Sequence, residues 1–342
     1  MGDWLPDQLP VSPVNGEARD QNKSSNPESQ DLTWMKTKIR GLISQFLEDI
    51  DYNGPVKGDD FDGLLQGMHN QARELGIPYP EGSRPWYCFT VGLHYARFCF
   101  PRHPLDLRIH IGIFTWLVTQ VDDQAGKDPD EWGQFVSRFH AREPQPSPVA
   151  RALDANLLGI RTWYEPLVAS FIVISTLNFV NATTLEGAVF NSPNWSPTVG
   201  AVRWPYFFRD KDGLSEAYSY FTYPRSLYPD VACYVEAVPD MIMYINFVND
   251  IMSFYKEELA GEKSNYMHNR AFAESKDAYQ VYETVVGEAL ELSRRIILVL
   301  GGNGKEKYLR AWLDQARGYV TFHRTLERYR LRELGLGESY TD

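Results

Sequence analysis

Asn249, Ser253 and Glu257 recur every fourth residue directly after the mostly apolar run 241–248, and this polar stripe narrows the folds open to the chain. At 3.6 residues per turn the three fall within roughly 80° of one another on a helix. The same spacing suits a solvated polar face, but the apolar run before it argues that the helix is buried, and a buried polar stripe needs partners. Lys256 joins the stripe within roughly 20° of Asn249, whereas Asp250 points about 100° away and reads as structural. A second acidic group, Asp122 and Asp123 in VDDQAGKD, follows the apolar run 109–121, where a buried helix emerges. Two facing clusters of oxygen ligands suggest a site for Mg²⁺ and a phosphate ester, since Mg²⁺ shares its shell between carboxylates, phosphate and water.

Apolar residues recur at helical spacing along most of the chain. Ile39, Leu42, Ile43, Phe46 and Leu47 mark one helix, and Phe61, Leu64, Leu65 and Met68 another. Further helices are expected over 87–100, 105–121, 131–139, 149–180, 230–255, 274–300 and 305–334. Alternating strand patterns are scarce, and Pro and Gly punctuate the elements at PRHP, REPQPSP, NSPNWSP and GGNG. The fold class is therefore all-α, a helical bundle in one domain over 33–335. Residues 1–32 mix Pro, Asn, Ser, Gln, Glu and Asp with little apolar periodicity and read as a disordered tail, and 336–342 as a C-terminal tail.

A net charge of −11, with no Lys/Arg-rich stripe, opposes docking on nucleic acid. Three scattered cysteines, Cys88, Cys99 and Cys233, form neither a disulfide framework nor a zinc motif, which fits a reducing cytoplasmic compartment. The opening MGDWLPDQLP lacks a signal peptide's basic region and apolar core, and no uninterrupted apolar run reaches 18 residues, so stable membrane insertion is not expected.

NDIMSFYKE, the upstream Asp pair, the run 175–179 leading to Glu186, and GYVTFHRTLERYRL resemble the class I terpene synthases, in particular the trichodiene synthase-like sesquiterpene cyclases. The likeness spans residues 33–335. It implies the terpenoid synthase fold around a central active-site cavity, a cluster of about three Mg²⁺, and farnesyl diphosphate as substrate. It leaves room for a homodimer.

On that resemblance Asp122, Asn249, Ser253 and Glu257 are the metal ligands. Arg209, Asp212 and Gly213 in FFRDKDGL match the family's sensor, linker and effector, with Gly213 supplying an unusual torsion at a helix break. The bare Asp-Gly pair is also a common surface turn. Arg209, Lys256, Arg328 and Tyr329 would bind diphosphate; Arg328 is implied as the partner of Asp123, and Glu186 as an acidic pocket residue. Trp86, Phe89, Phe114, Phe179, Trp204, Tyr244 and Phe322 are candidates to face a carbocation, although aromatics at helical spacing are mostly core. The acidic motif reads DDQAGKD and not DDxxD, so Asp128 stands six residues after Asp122, with Lys127 beside it.

The expected function is a Mg²⁺-dependent sesquiterpene cyclase that ionises farnesyl diphosphate and closes the cation into a polycyclic hydrocarbon or alcohol. A chain-elongating prenyltransferase normally carries two DDxxD motifs, where this chain has one altered motif plus the Asn-Ser-Glu stripe. A non-catalytic isoprenoid-binding protein is the third reading, opposed by the full ligand set of that stripe.

Overall fold

Short side-chain caps and prolines start the helices. Ser83, Ser147, Asn265 and Asp277 each accept from a backbone N–H in the first turn of the helix they precede, at 2.9–3.3 Å. Prolines open others, where a missing N–H costs nothing. The computed structural model describes residues 27–58, 60–190 and 192–339. Among them there is no strand.

In chain order the helices are α1 (Pro27–Asp49), α2 (Phe61–Leu75), α3 (Arg84–Cys99), α4 (Leu105–Gln124) and α5 (Pro129–Trp132). Next come α6 (Phe135–Ala141), α7 (Pro148–Gly159), α8 (Pro166–Leu185), α9 (Trp204–Asp212) and α10 (Ser215–Phe221). The last are α11 (Val238–Ala260), α12 (Tyr266–Glu274), α13 (Ala278–Leu300) and α14 (Glu306–Thr325). Helices α3, α4, α8, α10, α11 and α14 pack in a closed ring, each touching the next, and the ring encloses the cavity described below. Ile39, Ile43 and Phe46 of α1 and Leu64 and Met68 of α2 are fully buried, as their spacing predicts.

Several boundaries differ from expectation for identifiable reasons. The tail expected at 1–32 lies outside the described residues as far as 26, and helix α1 already covers 27–32. The single helix expected over 149–180 is two, because Pro166 holds Glu165 extended (ψ 145°) and cannot continue α7. Helix α11 begins at Val238, after two 3₁₀ turns. Helix α14 stops at Thr325, where Leu326 turns extended (φ −78°, ψ 126°) and hands the chain to the 3₁₀ turn Glu327–Tyr329. The expected C-terminal tail is tied down at its start. Leu336 is buried, its carbonyl accepts from Arg324 Nε at 2.7 Å, and Glu338 receives both Arg324 (2.6 Å) and the Tyr52 hydroxyl (2.9 Å).

Residues Pro166–Phe190 form one helix long and apolar enough to cross a bilayer, yet 61% of its apolar window is buried. It packs against α4, α9 and α10, so the core accounts for that apolarity.

The α3–α4 turn is pinned to α10 by His103, whose Nε2 lies 2.8 Å from the Phe221 carbonyl. A carbonyl only accepts, so that nitrogen carries the hydrogen. Burial, the largest cause, lowers His103 to about 4. Below the unfolded-state value near 6.5 the unfolded chain therefore takes up a proton that the folded protein refuses, and stability falls as pH drops toward the folded value. Against His103→Gln, which keeps a donor and does not titrate, the natural protein should lose up to about 3 kcal/mol more between pH 7 and pH 4. Denaturant unfolding of both proteins across that range checks this; parallel curves would remove His103 as an acid-sensitive point.

Candidate active site

Four helices bring their charged lining residues to the cavity from their C-terminal halves or from the turns just beyond them. Helix α4 contributes Thr115, Val118 and Thr119, then Asp122; α8 contributes Phe179, and Glu186 follows it; α14 contributes Tyr319 and Phe322, followed by Arg328 and Tyr329. On α11 the lining begins at Asn249 and Asp250 and runs to Lys256 and Glu257. Thr115 and Asp122 are separated by seven residues, or about 10 Å of helix. The result is a cavity of about 430 Å³ with an aromatic depth and a charged mouth.

Arg209 stands at the junction. Its Nε donates to both oxygens of Asp250 (2.9 and 3.0 Å), its Nη1 to Asp212 (3.1 Å) and its Nη2 to Asn249 Oδ1 (3.1 Å). Burial pushes Asp212 and Asp250 each up to about 7, opposed by the guanidinium they share. Asp250, expected to point away from the site, lines the cavity and holds Arg209. The angle around α11 is as the sequence predicts; the inserted α9 brings Arg209 to that face.

The rest of the stripe is intact. Asn249 Nδ2 is 3.1 Å from His323 Nε2, and Glu257 accepts from Lys256 (3.2 Å) and Asn265 (3.0 Å). Ser253 is buried and its hydroxyl has no partner among the described residues, an orphaned oxygen between two cavity-lining ligand candidates.

Across the cavity, Asp122 accepts no hydrogen bond from the described residues. Desolvation by the surrounding walls, then Asp123, raises its carboxyl, although the residue itself is open to solvent at the cavity mouth. Asp123 points elsewhere, and this corrects its expected pairing with Arg328: Arg84 Nε and Nη2 clasp its two oxygens at 2.5 Å. Helix α3 runs antiparallel to α4 and so brings Arg84, its first residue, to the end of α4. Arg328 instead lies over the rings of Tyr87 (5.9 Å) and Tyr329 (5.3 Å) and lines the cavity. Asp128 caps α5, accepting from Glu131 N–H at 3.1 Å, and is not part of the cavity wall.

Glu186 begins a π-helical turn, Glu186–Phe190, at the end of α8. The backbones of Gly187 and Gly126 touch, so a Cβ on either would meet the other, and this brings the ends of α4 and α8 together. Burial, then Asp122, raises the Glu186 carboxyl. Glu262, just past the α11 cap, also lines the mouth and was not singled out from sequence. Only its place five residues after Glu257 hints at this.

Gly213 is needed for a different reason than expected. Its backbone is ordinary (φ −81°, ψ −14°), and Leu214 takes the left-handed conformation at the break (φ 55°). A Cβ at Gly213 would collide with Asn246 Oδ1 and with Arg209, so the position requires the absence of a side chain and not torsional freedom.

Of the seven proposed aromatics, Phe179 and Phe322 line the cavity. Trp86 and Phe89 stack with Tyr79 and His69, Phe114 sits edge-on to Phe221, Trp204 stacks on Phe208, and Tyr244 packs on Trp312. Tyr95, Phe208, Tyr218 and Tyr319 take their places in the wall. Helices buried nearly all round carry no polar contrast that would have told these sets apart.

Among the described residues, no three His, Cys, Asp or Glu side chains close into a metal cage. The candidate donors are instead an amide, a hydroxyl and a carboxylate on α11, with the unpaired Asp122 opposite. All are hard oxygen donors, and an open set of this kind suits Mg²⁺. The orphaned Ser253 hydroxyl is the feature that a ligand would relieve.

Gly213→Ala should cost about 1–3 kcal/mol, because its methyl must displace a packed amide. Asn246→Ala in the same chain removes the nearest obstacle but not Arg209, and the double variant should recover part of that loss. Thermal unfolding of the three proteins measures it; a Gly213→Ala protein as stable as the parent would contradict the close packing.

Residues 89–339 match the family described as Trichodiene synthase (TRI5). The chain is 37% identical over 294 residues to Terpene synthase BipA of Cochliobolus sativus, covering 86% of this chain and 90% of that protein. It is 33% identical over 307 residues to Longiborneol synthase CLM1 of Gibberella zeae, covering 89% and 90%. Among solved structures, the Linalool/Nerolidol synthase from Streptomyces clavuligerus in complex with 2-fluorogeranyl diphosphate superposes with a TM-score of 0.60. It covers 80% of this chain and 97% of that one at 13% identity, which shows the shared helical terpenoid synthase fold. The match over most of the chain, at these identities, establishes that the chain belongs to the trichodiene synthase family of terpene synthases.

Proposed function

We propose that this chain is a Mg²⁺-dependent sesquiterpene cyclase that ionises farnesyl diphosphate, closes the allylic cation into a polycyclic hydrocarbon or alcohol, and releases diphosphate. The observation that carries this reading is the two-ended cavity: oxygen ligands and cations at the mouth, aromatic faces in the depth. That division matches a substrate with an anionic head and an apolar chain.

Asp122 on one side and Asn249, Ser253 and Glu257 on the other would hold Mg²⁺. When bound, Mg²⁺ neutralises diphosphate charge and so weakens the C–O bond to the leaving group. Arg209, Lys256 and Arg328 supply fixed positive charge, and Tyr329 a neutral donor, to the same oxygens. Burial raises Tyr329 to about 12, which keeps the phenol protonated as a donor at neutral pH. Arg209 and Lys256 are engaged with Asp250, Asp212 and Glu257 until an anion competes for them. Beneath them Tyr95, Phe179, Tyr218, Tyr319 and Phe322 exclude water and turn π faces and edges toward a cation.

Incubation with geranyl, farnesyl and geranylgeranyl diphosphates and Mg²⁺, followed by product analysis, should give cyclic C15 products from farnesyl diphosphate. Longer prenyl diphosphates, or no turnover of any of the three, would overturn the reading. Asp122→Asn, Asn249→Ala and Glu257→Gln should each lower turnover on the order of 100-fold, the scale for removing one contact to developing charge. Each should keep the parent's helical circular dichroism. Mg²⁺ and inorganic pyrophosphate together should raise the melting temperature by more than the sum of their separate effects, because each neutralises the other's ligands. Additive shifts would speak against one shared site.

A further inference from the structure

His323 on α14 touches none of the cavity, yet its ring is joined to one of the candidate metal ligands. It is fully buried and clamped by the rings of Tyr319 (4.5 Å, 81°), Phe322 (5.2 Å, 88°) and Tyr329 (4.4 Å, 48°). Its Nδ1 lies 2.7 Å from the Tyr319 carbonyl, and its Nε2 lies 3.1 Å from Asn249 Nδ2.

These contacts determine every hydrogen in the chain of bonds. The Tyr319 carbonyl can only accept, so Nδ1 carries the ring hydrogen and Nε2 is bare in the neutral imidazole. A bare nitrogen can only accept, so the Asn249 atom facing it is the NH₂. The same orientation follows independently from the other end, where Arg209 Nη2 can only donate and so requires Asn249 Oδ1, at 3.1 Å. A flipped amide would put two donors against Arg209 and two acceptors against His323.

We propose that His323 is a positioning residue that fixes the Asn249 amide, so that its carbonyl oxygen and not its NH₂ is presented to the Arg209 side of the cavity. The inference rests on Asn249 acting as a Mg²⁺ ligand, as read above. Mg²⁺ accepts an amide oxygen and is repelled by an amide N–H, so the orientation decides whether Asn249 is a ligand at all. It also makes Arg209 and the cation competitors for one oxygen, which links release of the guanidinium toward diphosphate with metal binding at the same residue. A buried histidine with two hydrogen bonds is commonly only core. Here its sole side-chain hydrogen-bond partner among the described residues is the ligand candidate, held in the one orientation that serves a metal.

The test uses the full chain with Mg²⁺ titrated in inorganic pyrophosphate, read by calorimetry or thermal shift and without turnover. His323→Phe keeps an aromatic ring but offers no acceptor, and the Mg²⁺ concentration for half-saturation should rise about ten-fold or more. His323→Gln retains a donor and an acceptor and should recover most of that loss. Asn249→Ala should also weaken Mg²⁺ binding, and adding His323→Phe to it should weaken it no further. A merely structural histidine would lower the melting temperature of His323→Phe and leave half-saturation unchanged, and that result overturns the proposal while Asn249→Ala still weakens binding. Unchanged Mg²⁺ binding in Asn249→Ala would instead overturn the ligand assignment beneath it. Nitrogen-15 spectra of histidine-labelled natural protein give a check that needs no variant: a bare Nε2 and protonated Nδ1 at His323 are expected, and the opposite tautomer defeats the proposal.

Discussion

A guanidinium enclosed at the end of an aromatic cavity cannot be left without anions, and the mouth of this cavity is arranged around that requirement. Arg209 is only 13% exposed and is met by Asp250, Asp212 and Asn249. Breaking a buried charge pair on one side strands the other charge, at a cost of several kcal/mol. Asp250 on α11 and Asp212 on α9 are thus obliged to stay close, and the break between α9 and α10 is held where Gly213 meets Asn246. One ion-pair cluster sets the position of α9 against α11 and, through Asn249 and His323, of α11 against α14.

The remaining charges are distributed unevenly, and this has chemical meaning. Adjacent in sequence, Asp122 and Asp123 differ in what faces them: Asp123 is satisfied by Arg84, while Asp122 is left to the cavity among Glu186 and Glu262. The exposed Arg84 pair contributes little stability by itself, since its arginine side chain is 57% open to solvent. Its effect is to remove one of two carboxylates from the site. What remains is an excess of acid at the mouth, raised by desolvation from the cavity walls and by mutual repulsion, which a divalent cation would relieve.

The parts of this arrangement that are local in sequence were legible there. Helical periodicity gave the buried faces of α1 and α2, and the four-residue spacing put Asn249, Ser253 and Glu257 on one face of α11. The acidic pair was placed correctly at the end of α4. Partnerships between helices were not legible: nothing near Asp123 indicates that Arg84, and not Arg328, lies across from it. Nor does the sequence separate Tyr95, in the wall, from Phe89 and Tyr244, outside it, because α3 and α11 are apolar on most sides. His323 went unnoticed as one residue within GYVTFHRTLERYRL, and only its two hydrogen-bond partners give it meaning.

The end of the chain shows how a sequence motif becomes a position. If α14 continued, Tyr329 would keep the face of Phe322, which lines the cavity, whereas Arg328 would be turned about 120° from it. The helix stops because Leu326 turns extended, and the 3₁₀ turn then places both residues on the wall, with Arg330 in a left-handed conformation (φ 57°). A non-glycine residue held there stores strain that its surroundings must maintain. The segment 336–338 provides such a restraint by anchoring Arg324, the penultimate residue of α14, through the Leu336 carbonyl and Glu338. Tyr52, beyond the end of α1, joins the same knot through Thr321 and Glu338, so two distant parts of the chain brace the turn that carries Arg328. The end of α14 is therefore held by tertiary contacts, from Tyr52 and from the segment 336–338, that lie far apart in sequence.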